Sequence, residues 1–375
     1  SPAIAPPFSQ EHEDLRESVR RFVENEVAPH VDEWEDARIF PRELYERCGE
    51  LGFLGLKFPE EYGGQGGSYL HDAVWVEELS RRGASGGVAA GLNAHSSIAM
   101  PPVFKFGNEW QRQKWLVPGI RGEKIGALDT LLLDKKNYNS MACGDGACLG
   151  CGEKTAIHLF TSTVASIRTM ARKVDGGYLV NGSKTFITNG VRADFLVCAV
   201  KTTEEGGHGG ISFLVIDTDS PGYEVVSKLE KLGWHSSDTG EIAFSDVEVP
   251  DEHLLGQENE GFQLIMSNFA WERLLMAIGA VGAMDGLIDA SLAYAQERQA
   301  FGRAVGSFQA VRHKIAEMAT TAAAAKTLTY DTLRRFDAGE NVIREVSMTK
   351  LMTQRALCEI ADDALQIHGG YVYMK

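Results

Sequence analysis

Two groups of residues have types and spacing suited to chemistry. The first is a single carboxylate, Glu272, in the run Asn268-Phe269-Ala270-Trp271-Glu272-Arg273-Leu274-Leu275-Met276. Apolar residues at Phe262, Met266, Phe269, Met276, Ala280, Ala283 and Met284 predict a helix face turned inward. One turn away from Glu272 lie Asn268, Phe269, Leu275 and Met276, mostly apolar neighbours. Burial among them would disfavour the charged carboxylate and raise its pKa, which suits a base that removes a proton from carbon. The same residues also read as a structural ion pair with Arg273 at the edge of a core. The second group is Cys143, Cys148 and Cys151, in the C-x4-C-x2-C spacing used for iron–sulfur ligation. A glycine-rich loop can wrap one metal, with Cys198 as a fourth iron–sulfur ligand or His158 completing a zinc set. Cys48, Cys198 and Cys358 stand alone and read as small core residues.

The elements that must position these groups follow from pattern. A chain of 375 residues holds two or three domains of roughly 150 residues. Its 44% hydrophobic and 24% charged content is that of an ordinary globular protein. A net charge of −15 argues against nucleic acid or an anionic membrane surface as a partner. No apolar run approaches the roughly 20 residues of a spanning helix, so no membrane span is expected. The opening Ser1-Pro2-Ala3-Ile4-Ala5-Pro6-Pro7 has no charged n-region. The expected location is a bacterial cytoplasm or a mitochondrial matrix, not a secreted compartment.

Three segments are predicted. Residues 1–123 are mostly helical, with amphipathic patterns over Glu11–Glu26 and Pro41–Leu51, an apolar stretch over Asp72–Leu79 and a small-residue stretch over Gly86–Phe106. In residues 124–250 the period changes to two, and Asn181-Gly182 reads as a hairpin turn between alternating strands. Short strands at Phe195–Val200, Ile211–Ile216, Tyr223–Ser227 and Glu241–Val249 imply a small barrel or sandwich. Residues 251–375 hold three long helical patterns, Phe262–Arg298, Gln309–Ala338 and Val342–Ile367, an antiparallel bundle closed by Gly369-Gly370. The fold class is α+β, mostly α: a helical N-terminal domain, a middle β-barrel domain and a C-terminal helical bundle.

Six motifs in order make this chain resemble the acyl-CoA dehydrogenases. They are Pro59-Glu60-Glu61-Tyr62-Gly63-Gly64-Gln65-Gly66, Asn181-Gly182-Ser183-Lys184-Thr185-Phe186-Ile187-Thr188-Asn189-Gly190, Lys231-Leu232-Gly233-Trp234, Asp246-Val247-Glu248-Val249-Pro250, Arg298-Gln299-Ala300-Phe301-Gly302 and Gln366-Ile367-His368-Gly369-Gly370. The resemblance covers residues 8–128 and 162–375 and implies an FAD enzyme of fatty acid β-oxidation. It implies that Phe186 packs on the flavin ring and that Thr188 bonds near its N5. Arg298, Phe301 and Gln309 then hold the FAD pyrophosphate and adenine end from a neighbouring subunit, with Gln366, Gly369 and Gly370 as the other part of that site. A homodimer or homotetramer follows, with an acyl-CoA substrate and an electron-transfer flavoprotein as partners. Trp271-Glu272-Arg273-Leu274-Leu275 resembles the base position of the isovaleryl and long-chain members, which implies Glu272 as catalytic base and Arg273 and Phe269 beside the substrate. The implied reaction is α,β-dehydrogenation to the trans-2-enoyl-CoA.

The resemblance breaks between residues 129 and 163. A Thr-Glu-Pro-x-Ala-Gly-Ser-Asp-like loop is replaced there by an insert whose Gly146-Ala147-Cys148-Leu149-Gly150-Cys151-Gly152-Glu153 run resembles a cluster loop of 2-oxoacid:ferredoxin oxidoreductases. The chain also stops at Lys375, short of the family's last segment. Alternative readings are a metal or iron–sulfur electron-transfer module, or an impaired scaffold without flavin.

Overall fold

The computed structural model describes residues 6–81, 86–129, 167–203 and 209–374. Residues 130–166, which include Cys143, Cys148, Cys151 and His158, lie outside the described residues. The α-helices are α1 (Gln10–Phe22), α2 (Val31–Ala37), α3 (Glu43–Glu50), α4 (Tyr69–Arg81), α5 (Gly86–Asn93), α6 (Met100–Phe106), α7 (Glu109–Gln111), α8 (Val117–Ile120), α9 (Gly261–Glu297), α10 (Gln309–Asp337) and α11 (Ile343–His368). The chain divides into two compact units: Ser1–Val31, Gly67–Ser85 and Ala270–Lys375 in one, Asp32–Gly66 and Gly86–Phe269 in the other.

In the first, helical unit, α9, α10 and α11 bury a shared seam that includes Val281, Met284, Met318, Ala322, Ala356, Ile360 and Ile367. Helices α9 and α11 run parallel, because the Met276 carbonyl accepts from Gln354 Nε2 at 3.1 Å and, further along both, Tyr294 packs on His368. Helix α4 presses on α9 at Gly282, where an added Cβ would meet the Glu77 carbonyl oxygen at 2.1 Å. Glycine here permits a backbone approach that any side chain would block.

The apolar stretch predicted over Asp72–Leu79 hides two buried acids. Arg16 Nη1 lies 3.1 Å from Glu77 Oε1 and 3.0 Å from Glu78 Oε1, and the Tyr330 hydroxyl donates to Glu77. Lys326 bridges Asp285 at 2.5 Å and approaches Glu77. Burial raises the Glu77 pKa, against the opposing pull of Arg16. Buried charges persist only when paired and hydrogen-bonded in this way.

The second unit is built on strands β1 (Gly126–Asp129), β2 (Met170–Val174), β3 (Gly177–Thr188), β4 (Phe195–Lys201), β5 (Ile211–Asp217), β6 (Tyr223–Lys228), β7 (Thr239–Pro250) and β8 (Leu254–Leu255). Their order is β6-β7-β3-β2-β4-β5-β8, with β1 pairing parallel to β4. The expected barrel is therefore corrected. Among the described residues the sheet does not close, since β6 and β8 end the path without pairing each other. Short alternating strands specify a sheet with one buried face, and that pattern is common to open and closed arrangements. Its core gathers Ala127, Tyr178, Val180, Leu196, Cys198, Leu214, Ile242 and Val247.

The expected Asn181-Gly182 hairpin is corrected as well. Residues 177–188 form one continuous strand, and Asn181-Gly182 is an irregularity in its pairing with β7. Asn181 and Asp246 exchange two bonds there, Asn181 Nδ2 to Asp246 Oδ1 at 2.8 Å and Asp246 N to Asn181 Oδ1 at 3.0 Å. Side chain and backbone together satisfy the interrupted ladder, which is how a bulge is held.

Three further expectations change. Cys358 is exposed, not a core residue, whereas Cys48 and Cys198 are buried. On α9, Met266 and Met276 are 39% and 51% exposed, while Trp271, Leu274, Ile278 and Val281 are buried. A helix apolar nearly all round carries no pattern that says which face turns inward. The same uniformity gives α9 the length and composition of a membrane span, although half of its most apolar window is buried within the protein. Finally, Asp129, the expected start of the insert, is still a β1 residue paired with Cys198.

Candidate active site

In the sheet unit, the candidate residues Phe186 and Thr188 end β3. Phe186 is 47% exposed and has φ of 66°, a left-handed conformation that an aromatic residue rarely adopts. The β3–β7 register shifts between Lys184 and Ile187, so Phe186 lies within a bulge and regular pairing resumes at Ile187 and Thr188. A strained residue of this kind persists only where its surroundings over-determine it.

The polar residues that flank Phe186 in sequence are buried and paired. Lys184 and Asp129, both fully buried, form an ion pair, and Lys184 Nζ also donates to the Ala199 carbonyl at 2.7 Å. Cys198 lies against Asp129, its thiol pushed up to about 12 by burial. Just beyond the strand, Asn189 has φ of 63°, accepts from the Tyr45 hydroxyl at 3.0 Å and donates to the Gly91 carbonyl at 2.8 Å. Asp238 accepts from Val191 N at 2.8 Å and from Arg192 Nε at 2.6 Å. Sequence reasoning missed Tyr45, Asp129, Asn189, Arg192 and Asp238 as supports. The Thr-Asn-Gly and Ser-Ser-Asp-Thr runs were the available signals, but their partners are distant in sequence.

His95 fixes the neighbouring edge. Its Nδ1 accepts from Gly126 N at 2.9 Å and its Nε2 faces the Gly119 carbonyl at 2.9 Å, the pattern of a neutral ring. Burial lowers its pKa to about 4. Phe269, expected beside substrate, is buried at 3% exposure.

In the helical unit, Glu272 and Arg273 are both half-buried on α9, so Glu272 is less enclosed than its sequence neighbours imply. Burial lowers the Arg273 pKa, with Glu272 opposing. The preceding Trp271 is buried and stacks on Phe336 at 5.7 Å, with Tyr69 at 4.6 Å on another side. That aromatic cluster sets the rotation of the turn carrying Glu272.

The other end of α9 opens into a cavity of about 410 Å³ lined by Tyr294, Arg298, Val305, Ile367, His368, Gly369, Gly370 and Met374. Three expected residues, Arg298, Gly369 and Gly370, thus come together. Gly369 has φ of 65° and its N–H closes α11 on the Leu365 carbonyl. A Cβ added at either glycine would meet no atom within 4 Å. The other three expected residues are exposed but outside this lining: Gln309 begins α10, Gln366 lies on α11, and Phe301 is 95% exposed at a hairpin tip. Phe301 and Gly302 both have positive φ, as a two-residue turn between β9 (Gln299–Ala300) and β10 (Arg303–Ala304) requires. Tyr294 and His368, rings 4.6 Å apart, join the lining and were not among the expected site residues. Among the described residues no group of three or more His, Cys, Asp or Glu could hold a metal ion.

Family models described as the N-terminal, middle and C-terminal domains of acyl-CoA dehydrogenase match residues 9–123, 153–247 and 259–375. The chain belongs to the acyl-CoA dehydrogenase family. Mitochondrial isovaleryl-CoA dehydrogenase of Oryza sativa subsp. japonica is 33% identical over 98% of this chain and 84% of that protein. The structure of a probable acyl-CoA dehydrogenase from Mycobacterium abscessus is 40% identical, with a TM-score of 0.87 over 98% of this chain and 90% of that one. An FAD complex of PigA is 25% identical, with a TM-score of 0.86 over 99% of this chain and 90% of that one. The family is one of oxidoreductases acting on CH–CH groups.

Proposed function

We propose that this chain dehydrogenates an acyl-CoA thioester between its α and β carbons, with FAD as cofactor and Glu272 as the base. The carrying observation is the half-buried Glu272-Arg273 pair on α9, held in rotation by the Trp271 cluster. FAD fits the residues present. The Arg298 and double-glycine cavity suits a dinucleotide, because a guanidinium matches phosphate geometry and glycine allows close backbone approach. The exposed, strained Phe186 suits a flavin face. Phe301, Gln309 and Gln366 would complete the adenine end in a homodimer or homotetramer.

Bound FAD would supply a hydride acceptor for the β-hydrogen. The protein's own work is proton transfer and orientation. Glu272, ionised, takes the α-proton and holds it as a neutral carboxyl group. Arg273 orients that carboxylate. An electron-transfer flavoprotein is the proposed electron acceptor. Isovaleryl-CoA, named in the rice relative, is the first substrate to try.

The test is Glu272→Gln in FAD-loaded protein mixed with isovaleryl-CoA and butyryl-CoA. The expected result is unchanged FAD content with flavin bleaching slowed by roughly 10²–10⁴-fold, the contribution of a positioned base. Full bleaching at the unmutated rate would remove Glu272 from the role.

A further inference from the structure

We propose that Lys350 is a positioning residue for the base: set beside Arg273 at the level of Glu272, it directs the Arg273 guanidinium to the Glu272 carboxylate. The inference rests on the reading of Glu272 given above. Its geometry comes from the parallel pairing of α9 and α11. Gln354 on α11 bonds the Met276 carbonyl on α9 at 3.1 Å. One turn earlier on each helix stand Lys350 and the Glu272-Arg273 pair, and parallel helices keep such turns level. All three side chains are half-buried. The proximity is felt at Lys350: burial lowers its pKa, and Arg273 lowers it further.

The physical reason is a conflict of charges. Residues i and i+1 of a helix do not face each other, so α9 alone does not pair Glu272 with Arg273. A second cation on α11 makes the Lys350 side of Arg273 unfavourable and leaves the carboxylate as the favoured direction. Guanidinium only donates. Bound to one carboxylate oxygen, it leaves the other free to accept a proton from carbon. Two half-buried like charges lower stability, and that cost is the signature separating a functional lysine from a packing one.

The test uses Lys350→Met and Lys350→Arg beside Glu272→Gln. In FAD-loaded protein, Lys350→Met should slow flavin reduction by isovaleryl-CoA roughly tenfold with substrate affinity changed less than about twofold, the pattern of a lost transition-state interaction. Lys350→Arg should restore most of that rate. In FAD-free protein, Lys350→Met should raise the unfolding midpoint, and the gain should vanish in an Arg273→Met background. Wild-type reduction rates in Lys350→Met, or a lowered midpoint independent of Arg273, would overturn the proposal. If Glu272→Gln reduces flavin normally, the base assignment itself has failed; if it does not and Lys350→Met is fast, only the positioning role has failed.

Discussion

The end of β3 and the Glu272 turn of α9 hold their candidate groups by different means. On and next to the end of β3 are a fully buried Lys184–Asp129 pair, Asn189 bonded to Tyr45 and Gly91, and Asp238 bonded to Arg192 and Val191. Next to Glu272 in the chain, Trp271 packs on Phe336 and Tyr69, and the charged groups Arg273 and Lys350 are only half-buried. A polar network in low dielectric over-determines a backbone and can hold it in a strained shape. A half-solvated carboxylate can change its charge during turnover without the full cost of a buried ion. The first region is suited to presenting a rigid surface, the second to moving a proton.

That contrast breaks most visibly under substitution of the buried pair. Lys184→Met leaves Asp129 as an uncompensated buried charge and should cost about 3–5 kcal/mol of stability. Glu272→Gln, by contrast, should move the denaturation midpoint little while slowing flavin bleaching by roughly 10²–10⁴-fold. Equal destabilisation by the two would erase the distinction.

The next effect is in pH. The folded-state pKa of His95, about 4, lies below the ordinary value of 6.5, so folding favours its neutral form. Its contribution to stability is complete above pH 6.5 and is lost as pH falls toward 4. At about 1.4 kcal/mol per unit, the loss on acidification is on the order of 3 kcal/mol. Urea denaturation from pH 7 to 4 should show this slope, flattened in His95→Phe; an unchanged slope would deny the neutral assignment.

Smaller effects distinguish ligand binding from folding. Arg298→Ala should weaken FAD binding by about 1.5–3 kcal/mol, the range for a hydrogen bond to a charged group, with no change in unfolding midpoint. Phe186→Gly relieves a left-handed conformation worth about 1–2 kcal/mol and should leave FAD-free protein as stable or slightly more so. FAD affinity, measured by flavin fluorescence, should nevertheless fall. A destabilised FAD-free variant would mean that Phe186 is a packing residue.

Much of this architecture was legible in the chain. The three long helices of residues 261–368, the strands after residue 194 and the Gly369 cap follow from period and turn chemistry, because those are local properties of a backbone. Family motifs brought Arg298, Gly369 and Gly370 to notice, and the cavity joins them. Only tertiary structure could choose the face of α9, turn Asn181-Gly182 from a hairpin into a bulge, or leave the sheet open. Helix α9 is apolar nearly all round, and a bulge is chosen by its partner strand. The buried acids Glu77 and Glu78 and the pairings of Asp129 with Lys184 and Asn189 with Tyr45 were equally unreadable. Each joins residues dozens of positions apart, and a side chain's charge says nothing about its partner until the fold brings the two together.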